Sequence, residues 1–411
     1  LAQLISCQAI RKDVLLMSES TIQLYNQDSH LKTFNTVVLT CIEQTDETLD
    51  SSFSYIVTLE ATAFFPEGGG QPSDKGTLGD AMVLEVKEDD GIIYHTVTAP
   101  LTIGDTVTGH IDWDRRYDLM QHHTAEHIIS GIVHNSYGWD NVGFHMGSEA
   151  ITVDFNGSLS EEDIRFVERK ANQAVYENIP INVCFPDPEE LKALNYRSKK
   201  ELTGDIRIVT IPGYDICACC APHVSLTGEI GAIKIISSQK YKSGVRISML
   251  CGTRALHDYN KKEKSVTEIS VLLSAKPDEV YEAVKTLKAE NLSLKGHLAN
   301  LQNQILAYKA AAVMEGSKDI CIFDNEIGPN SLRTYANLLI ERITGNCFVF
   351  TSTDGKEYKY ILASKKIDVG PLGKSLNEAF NGKGGGSKEM VQGTLTGDKD
   401  IIKKFITDFN I

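Results

Sequence analysis

Between residues 22 and 110, apolar positions come in short β-branched runs: Thr36–Leu39, Ser54–Leu59, Met82–Val86 and Ile92–His95. Clusters of Asp, Gly and Ser set them apart, and such spacing predicts a small β-barrel or a sandwich, the barrel preferred. Phe64–Pro72, with three successive glycines, reads as a loop. The period then changes. Over 114–136, Leu119, His123, His127 and Ile128 fall at helical spacing. A strand at 150–155 and a helix over Glu161–Asn178 follow, with Ser160 placed to cap it. Strands are expected again at 206–211, 230–236 and 245–250, which makes a two-layer α+β domain.

Residues 255–314 predict two helices. Leu256, Tyr259, Glu263, Val266, Ser270 and Leu273 step by three and four until Ser274–Asp278, where Pro277 suits the first position of a new helix. From there Val280, Val284, Leu287, Asn291, Leu294, Leu298, Leu301, Ile305, Tyr308 and Ala312 form a heptad seam. It can close within a helical hairpin or against a second chain, and the polar Asn291 at an a position can fix its register. Strands at Cys347–Phe350 and Lys359–Ala363, a helix over Gly373–Phe380, a Gly-rich loop over Asn381–Ser387 and a closing helix from Asp398 predict a terminal α/β domain. The fold class is therefore α+β. Its expected parts are an upstream extension not native to the fold (1–21), a barrel-like domain (22–112), an α+β domain (113–253), a helical hairpin or coiled coil (254–315) and a terminal domain (316–411).

Composition narrows the setting. The 411 residues hold no apolar run of the roughly 18 needed to span a membrane, and the N-terminus has no secretory pattern. Nine cysteines, an odd number, fit a reducing compartment, so a cytoplasmic location is expected. The net charge of −14 is unevenly spread: −20 over residues 1–230, +6 over 231–311 and zero over 312–411. A polyanion should dock on the middle and rear.

Two constellations carry chemistry. His123 and His127 are one helical turn apart, and Cys219 and His223 stand at C-x3-H spacing, a donor set that suits tetrahedral zinc. His122, Cys217 and Cys220 compete as ligands, and a lone histidine pair would be a helix-surface accident. His123-Thr124-Ala125-Glu126-His127 is not a metalloprotease helix, because its second residue is Thr, and Glu126 lies at another helix angle. In the loop, Gly68–Gly70 would let backbone amides approach a ligand, flanked by the Thr62 hydroxyl and the Gln71 amide. Taken alone, it is a turn.

Together, Thr62–Gln71, His123-x3-His127 and Cys219-x3-His223 resemble the three motifs of the alanyl-tRNA editing domain, found in alanyl-tRNA synthetase and in stand-alone AlaX-type editing proteins. Gly384–Gly386 followed by Gln392-Gly393 resembles the signature of the DHHA1 domain, which follows the editing domain in the long form. The Cys219-Cys220-Ala221-Pro222-His223 segment departs from the synthetase pattern Cys-x-Gly-Thr-His toward threonyl-tRNA editing domains, which bears on amino-acid selectivity.

The resemblance implies one Zn2+ per chain on His123, His127, Cys219 and His223. It implies hydrolysis of mischarged tRNA(Ala), chiefly Ser-tRNA(Ala) and also Gly-tRNA(Ala), with Ala-tRNA(Ala) spared. Thr62, Gly69, Gly70 and Gln71 are its candidate catalytic and recognition residues. Zinc would either activate a water or position the substrate, the second being favoured. For tRNA contact the candidates are Lys240, Lys242, Arg246, Lys261 and Lys262 in the basic stretch, with Lys234, Arg254 and Lys264 beside them. The terminal domain adds Gly384, Gly385, Gly386 and Lys388. A homodimer through the hairpin or the terminal domain is expected. Competing readings are a fragment of alanyl-tRNA synthetase and a non-catalytic zinc-stapled tRNA-binding protein. Nothing resembling a class II aminoacylation core stands out, so ligase activity is expected to be absent, and a DHH phosphodiesterase lacks its Asp-His-His motif.

Overall fold

The computed structural model describes residues 20–44, 54–198, 206–328 and 330–409. The chain divides into two units, one ending at Ser265 and one beginning at Val266. Most of the expected extension, residues 1–19, lies outside the described residues. Thr21 does not belong with it. Its amide donates to the Gly91 carbonyl and its hydroxyl accepts from the Ile93 amide, so the fold already includes it.

The first unit begins with β1 (Ile22–Gln23), α1 (Leu24–Gln27), β2 (Thr33–Gln44), β3 (Ser54–Leu59), β4 (Ala61–Thr62), β5 (Gly76–Leu78), β6 (Ala81–Asp89), β7 (Ile92–Val97) and β8 (Thr106–Ile111). Antiparallel ladders run from β2 through β3, β7, β6, β5 and β8 and return to β2, a closed barrel. Closure depends on β2, which is long enough to pair with β8 over Thr33–Val37 and with β3 over Val38–Gln44. Alternation fills the inside: Phe34, Val57, Leu59, Phe64, Leu78, Val86 and Ile93 are buried together.

His95 is wholly buried in this barrel, its Nδ1–H donating to the Val57 carbonyl and its Nε2 accepting from the Thr62 hydroxyl. Burial pushes its pKa down to about 4. The unfolded chain, with an ordinary histidine, takes up the proton more readily. The stabilisation is therefore complete above about pH 6.5 and lost as the pH falls toward 4, about 3 kcal/mol across that window. Urea midpoints measured from pH 7 to 4.5 should fall with acid, and His95→Gln should flatten the slope.

After the barrel come α2 (Trp113–Tyr137), β9 (Asn141–Met146), β10 (Ile151–Phe155), α3 (Glu161–Glu177), β11 (Asn182–Cys184), α4 (Pro188–Ala193), β12 (Ile208–Ile211), β13 (Asp215–Ala218), β14 (Ile233–Tyr241) and β15 (Gly244–Cys251). Ser160 and Asp163 form a reciprocal capping box at the start of α3, as the spacing predicts. A sheet ordered β14–β15–β10–β9 and the helices α2 and α3 share one core, the expected two layers. A separate three-stranded sheet, β11–β12–β13, carries the segment leading to Cys219.

Helix α5 (Gly252–Leu273) leads through a turn at Ser274 to a 3-10 turn opened by Pro277 and then to α6 (Val280–Ala311). Val284, Leu287, Leu294, Leu298, Leu301, Ile305 and Tyr308 of the seam are all exposed. Leu306 and Ala310, on another face of α6, are buried in the core of the terminal domain.

That domain contains β16 (Ile320–Phe323), α7 (Leu332–Arg342), β17 (Asn346–Ser352), β18 (Glu357–Ser364), α8 (Gly370–Ala379), β19 (Lys383–Gly386), β20 (Met390–Thr396) and α9 (Lys399–Asp408). Its sheet is ordered β16–β17–β18–β20–β19, with α7 in one core and α8 and α9 in another. The Gly-rich loop expected at Asn381–Ser387 is a correction: Lys383–Gly386 is an edge strand paired with β20. Without side chains the two backbones approach closely, a Cβ on Gly384 lying 2.7 Å from the Gly393 Cα. Among the described residues no helix is long and apolar enough to cross a membrane.

Candidate metal centre

Asp112 caps α2 by accepting from the Arg115 amide, and Gly138 ends it in a left-handed conformation. Between them the helix carries His123 and His127 one turn apart, both buried. The segment after β13 brings Cys219 and His223 against the same face. Ligand atoms of His123, His127, Cys219 and His223 all lie within 4.8 Å of one another. The Cys219 Sγ is 3.5 Å from His123 Nε2, the edge length of about 3.5 Å that tetrahedral Zn–S and Zn–N bonds require.

Each imidazole is held by its Nδ1. His123 donates to Gln71 Oε1 at 2.9 Å, His127 to Asp215 Oδ2 at 2.9 Å and His223 to Thr124 Oγ1 at 3.0 Å. The Thr124 hydroxyl itself donates to the Met120 carbonyl, so it accepts from His223. With every Nδ1 protonated, every Nε2 lone pair is presented to the cluster. His223 Nε2 is buried with no protein hydrogen-bond partner, and burial pushes that histidine down to about 3, the neutral form a metal needs. Burial alone would raise the Cys219 thiol, but the surrounding histidines, His123 foremost, bring it well below its ordinary value, toward thiolate. This donor set fits zinc.

The competing ligands lie outside the four-residue cluster. His122 accepts from the Cys251 amide through Nε2 and donates to the Asp118 carbonyl through Nδ1. Cys220 lies beside the Gly-rich turn, where a Cβ on Gly69 would sit 3.5 Å from its sulfur. Cys217 belongs to a second buried group with His127 and Asp215. Glu126 accepts from Ser130 and Asn141, a structural role.

The Gly-rich segment is a two-residue hairpin turn. Gly68 and Gln71 exchange backbone hydrogen bonds across Gly69 and Gly70, whose φ values are +61° and +85°. Two successive positive φ angles are what a type I′ turn demands, and glycine meets the demand without strain. The turn is anchored below by a buried ion pair: Asp74 accepts from the Phe65 amide and from Arg116, whose guanidinium also holds the Ala63 and Ser29 carbonyls. Thus the segment that delivers Gln71 is tied to the helix that carries the histidines.

Gln71 is fully buried and occupied differently from expectation. Its carbonyl is taken by His123, which leaves its Nε2 as a buried donor without a protein partner. Thr62 departs further. Its hydroxyl donates to His95 and accepts from the Phe64 amide, inside the barrel.

The sequence reading missed four residues around the centre. Asp215 and Thr124 orient histidines, Arg197 backs Asp215, and Arg207 donates to the Cys219 and Ala221 carbonyls, shaping the ligand segment. No periodicity or motif marks any of them.

The basic candidates separate on inspection. Arg246 is bound bidentately to Asp154 and lies over the Tyr241 ring, Lys262 pairs with Asp258, Lys234 with Glu168 and Arg254 with Asp118. Their charge is already partly answered. Lys240, Lys242 and Lys261 are exposed. In the terminal domain Gly384, Gly385 and Gly386 line a cavity of about 410 Å³ with Lys374 and Asn377, and Lys388 is exposed.

Comparison with known proteins agrees with this arrangement. Residues 206–248 match the threonyl and alanyl tRNA synthetase second additional domain, and residues 307–410 match the DHHA1 domain. Residues 8–115 match the class II (A) tRNA synthetases, a likeness the sequence reading did not find. Alanyl-tRNA editing protein Aarsd1 of Mus musculus is 28% identical over 91% of this chain and 94% of its own length. Aarsd1-B of Xenopus laevis is 29% identical, over 82% and 84%. An alanine–tRNA ligase of Ignicoccus hospitalis is 30% identical over 93% of this chain, which spans only 42% of the ligase. Over most of its length the chain is thus similar to proteins named alanyl-tRNA editing proteins, and its match to the second additional domain is followed by a match to the DHHA1 domain.

Proposed function

We propose that the chain is a zinc-dependent hydrolase that deacylates mischarged tRNA(Ala), chiefly Ser-tRNA(Ala) and also Gly-tRNA(Ala), and spares Ala-tRNA(Ala). The observation that carries it is the buried cluster of three oriented imidazoles and one thiolate beside Gln71, with an amide donor left over. When bound, zinc supplies Lewis-acid polarisation or a bound water of lowered pKa. The chain's own part is to hold that ligand set rigid, each imidazole braced at its Nδ1. The exposed turn at Gly69 and Gly70 offers backbone amides to the ester, and the Gln71 Nε2 offers a hydrogen bond that a serine hydroxyl can take and an alanine methyl cannot. Thr62, engaged with His95, would support the loop. Incubation with Ser-tRNA(Ala), with Ala-tRNA(Ala), and with ATP plus free alanine is the test. Release of serine alone supports editing, and no release from either ester leaves a zinc-stapled tRNA-binding protein.

A second reading has its own support. The chain spans less than half of the ligases it matches, so it can also be read as the editing and C-terminal portion of such an enzyme. Formation of Ala-tRNA(Ala) from ATP and alanine would contradict the stand-alone hydrolase.

The tRNA body would rest on Lys240, Lys242 and Lys261 and, separately, on the Gly384–Gly386 edge with Lys388, making binding salt-dependent. The exposed seam of α6 is assigned to a second copy of the chain. In a parallel pair, Glu290 at a g position faces Lys295 of the next heptad at e, and Asn291 meets its counterpart, whereas an antiparallel pair sets like charges together. A homodimer is expected in sedimentation, and Leu294→Glu with Leu298→Glu should make it monomeric while leaving the zinc content unchanged.

A further inference from the structure

The three partners that orient the imidazoles are chemically unequal. Gln71 offers a neutral carbonyl and Thr124 a hydroxyl, but Asp215 offers a carboxylate. The Asp215 side chain is 2% exposed, and both His127 and Arg197 donate to it. Arg197 grips it with two bonds, Nε to Oδ1 at 2.7 Å and Nη2 to Oδ2 at 2.8 Å. Arg197 is itself fixed to β13 by its backbone, donating to the Ile216 carbonyl and accepting from the Ala218 amide. The strand can come this close because α2 has Gly131 at the crossing: a Cβ there would stand 2.2 Å from the Tyr214 carbonyl.

From this geometry we infer that Asp215 is a positioning residue for His127 and that Arg197, in turn, holds Asp215, the two forming a relay that makes His127 the anchoring ligand of the metal centre. The inference rests on the zinc reading above. A carboxylate on Nδ1 fixes the tautomer, locks the ring plane and makes Nε2 more basic, which an amide or hydroxyl does less strongly. The guanidinium keeps the buried carboxylate from being a stranded charge. Neither residue touches substrate in this assignment; both act through His127.

Zinc affinity measured by competition with a chromophoric chelator, together with the visible bands of the Co2+-loaded protein, tests the relay. Asp215→Asn should bind zinc about 10–100-fold more weakly. Its saturated Co2+ bands should shift, while the metal-free protein keeps the parental circular dichroism. Arg197→Met, which leaves the carboxylate in place, should lose several-fold less. The double variant removes both charges and should stay as weak as Asp215→Asn. Cys217→Ser should match the parent.

Parental affinity and bands in Asp215→Asn would overturn the relay. Recovery of affinity in the double variant would also overturn it, since the loss would then come from a stranded guanidinium. So would a fall in Cys217→Ser equal to that in Asp215→Asn, which would place the metal in the His127, Asp215 and Cys217 group instead. A parent that takes up neither zinc nor cobalt defeats the zinc reading itself. Tight zinc in both the parent and Asp215→Asn defeats the relay alone.

Discussion

Cys219→Ala protein should emerge from purification nearly free of zinc and should release no serine from Ser-tRNA(Ala) above background. The thiolate is the one anionic donor in the cluster of His123, His127, Cys219 and His223, and its removal leaves three imidazoles. Those imidazoles are still held by Gln71, Asp215 and Thr124, so the fold should survive while the affinity collapses. A structural zinc site contributes about 10–16 kcal/mol of binding, and the loss of one of four ligands removes a large share of it. Metal analysis by plasma emission, with thermal melting of the metal-free proteins as a control, reads the result. Unchanged zinc content would move the thiolate ligand to Cys217 or Cys220, and serine release without zinc would remove the metal from the proposed chemistry.

Selectivity is the second large effect. Ser-tRNA(Ala) should be hydrolysed faster than Ala-tRNA(Ala) by roughly 10⁴, the ratio reached when a buried polar group is left unpaired by the wrong substrate. The Gln71 Nε2 is such a group, because His123 has taken the carbonyl end of the amide and so sets which end remains. Gln71→Ala removes two things at once: the donor for serine and the brace on His123. It should therefore lower serine release and weaken zinc binding together, the latter by about 10–100-fold. At saturating zinc the variant should regain turnover but not discrimination. Equal rates on the two esters in the parent protein would sink the hydroxyl-recognition argument, whatever the absolute rate.

Much of the local structure was legible because each signal lies within a few residues. The capped helix after Ser160, the period change at α2 and the strands of the barrel depend on alternation, spacing and capping chemistry that neighbouring residues supply. The edge strand Lys383–Gly386 was misread for the same reason. Glycine-rich composition signals a turn locally, and only the partner strand β20 shows that bare backbone is needed there.

What the sequence determined by itself was the donor set: two histidines a helical turn apart and a cysteine and histidine four apart, residue types whose lone pairs suit zinc whatever surrounds them. The seam of α6 was equally legible, since a heptad is written in one helix. The tertiary structure decided how those donors are aimed. Asp215 lies 88 residues from His127, Thr124 lies 99 from His223, and Gln71 lies 52 from His123. It also decided that Arg246 answers Asp154 rather than standing ready for phosphate, and that the Thr62 hydroxyl is taken by His95. Orientation and charge pairing arise from contacts between segments brought together by burial, and a hydrogen bond across such a distance leaves no period or spacing in the chain to read.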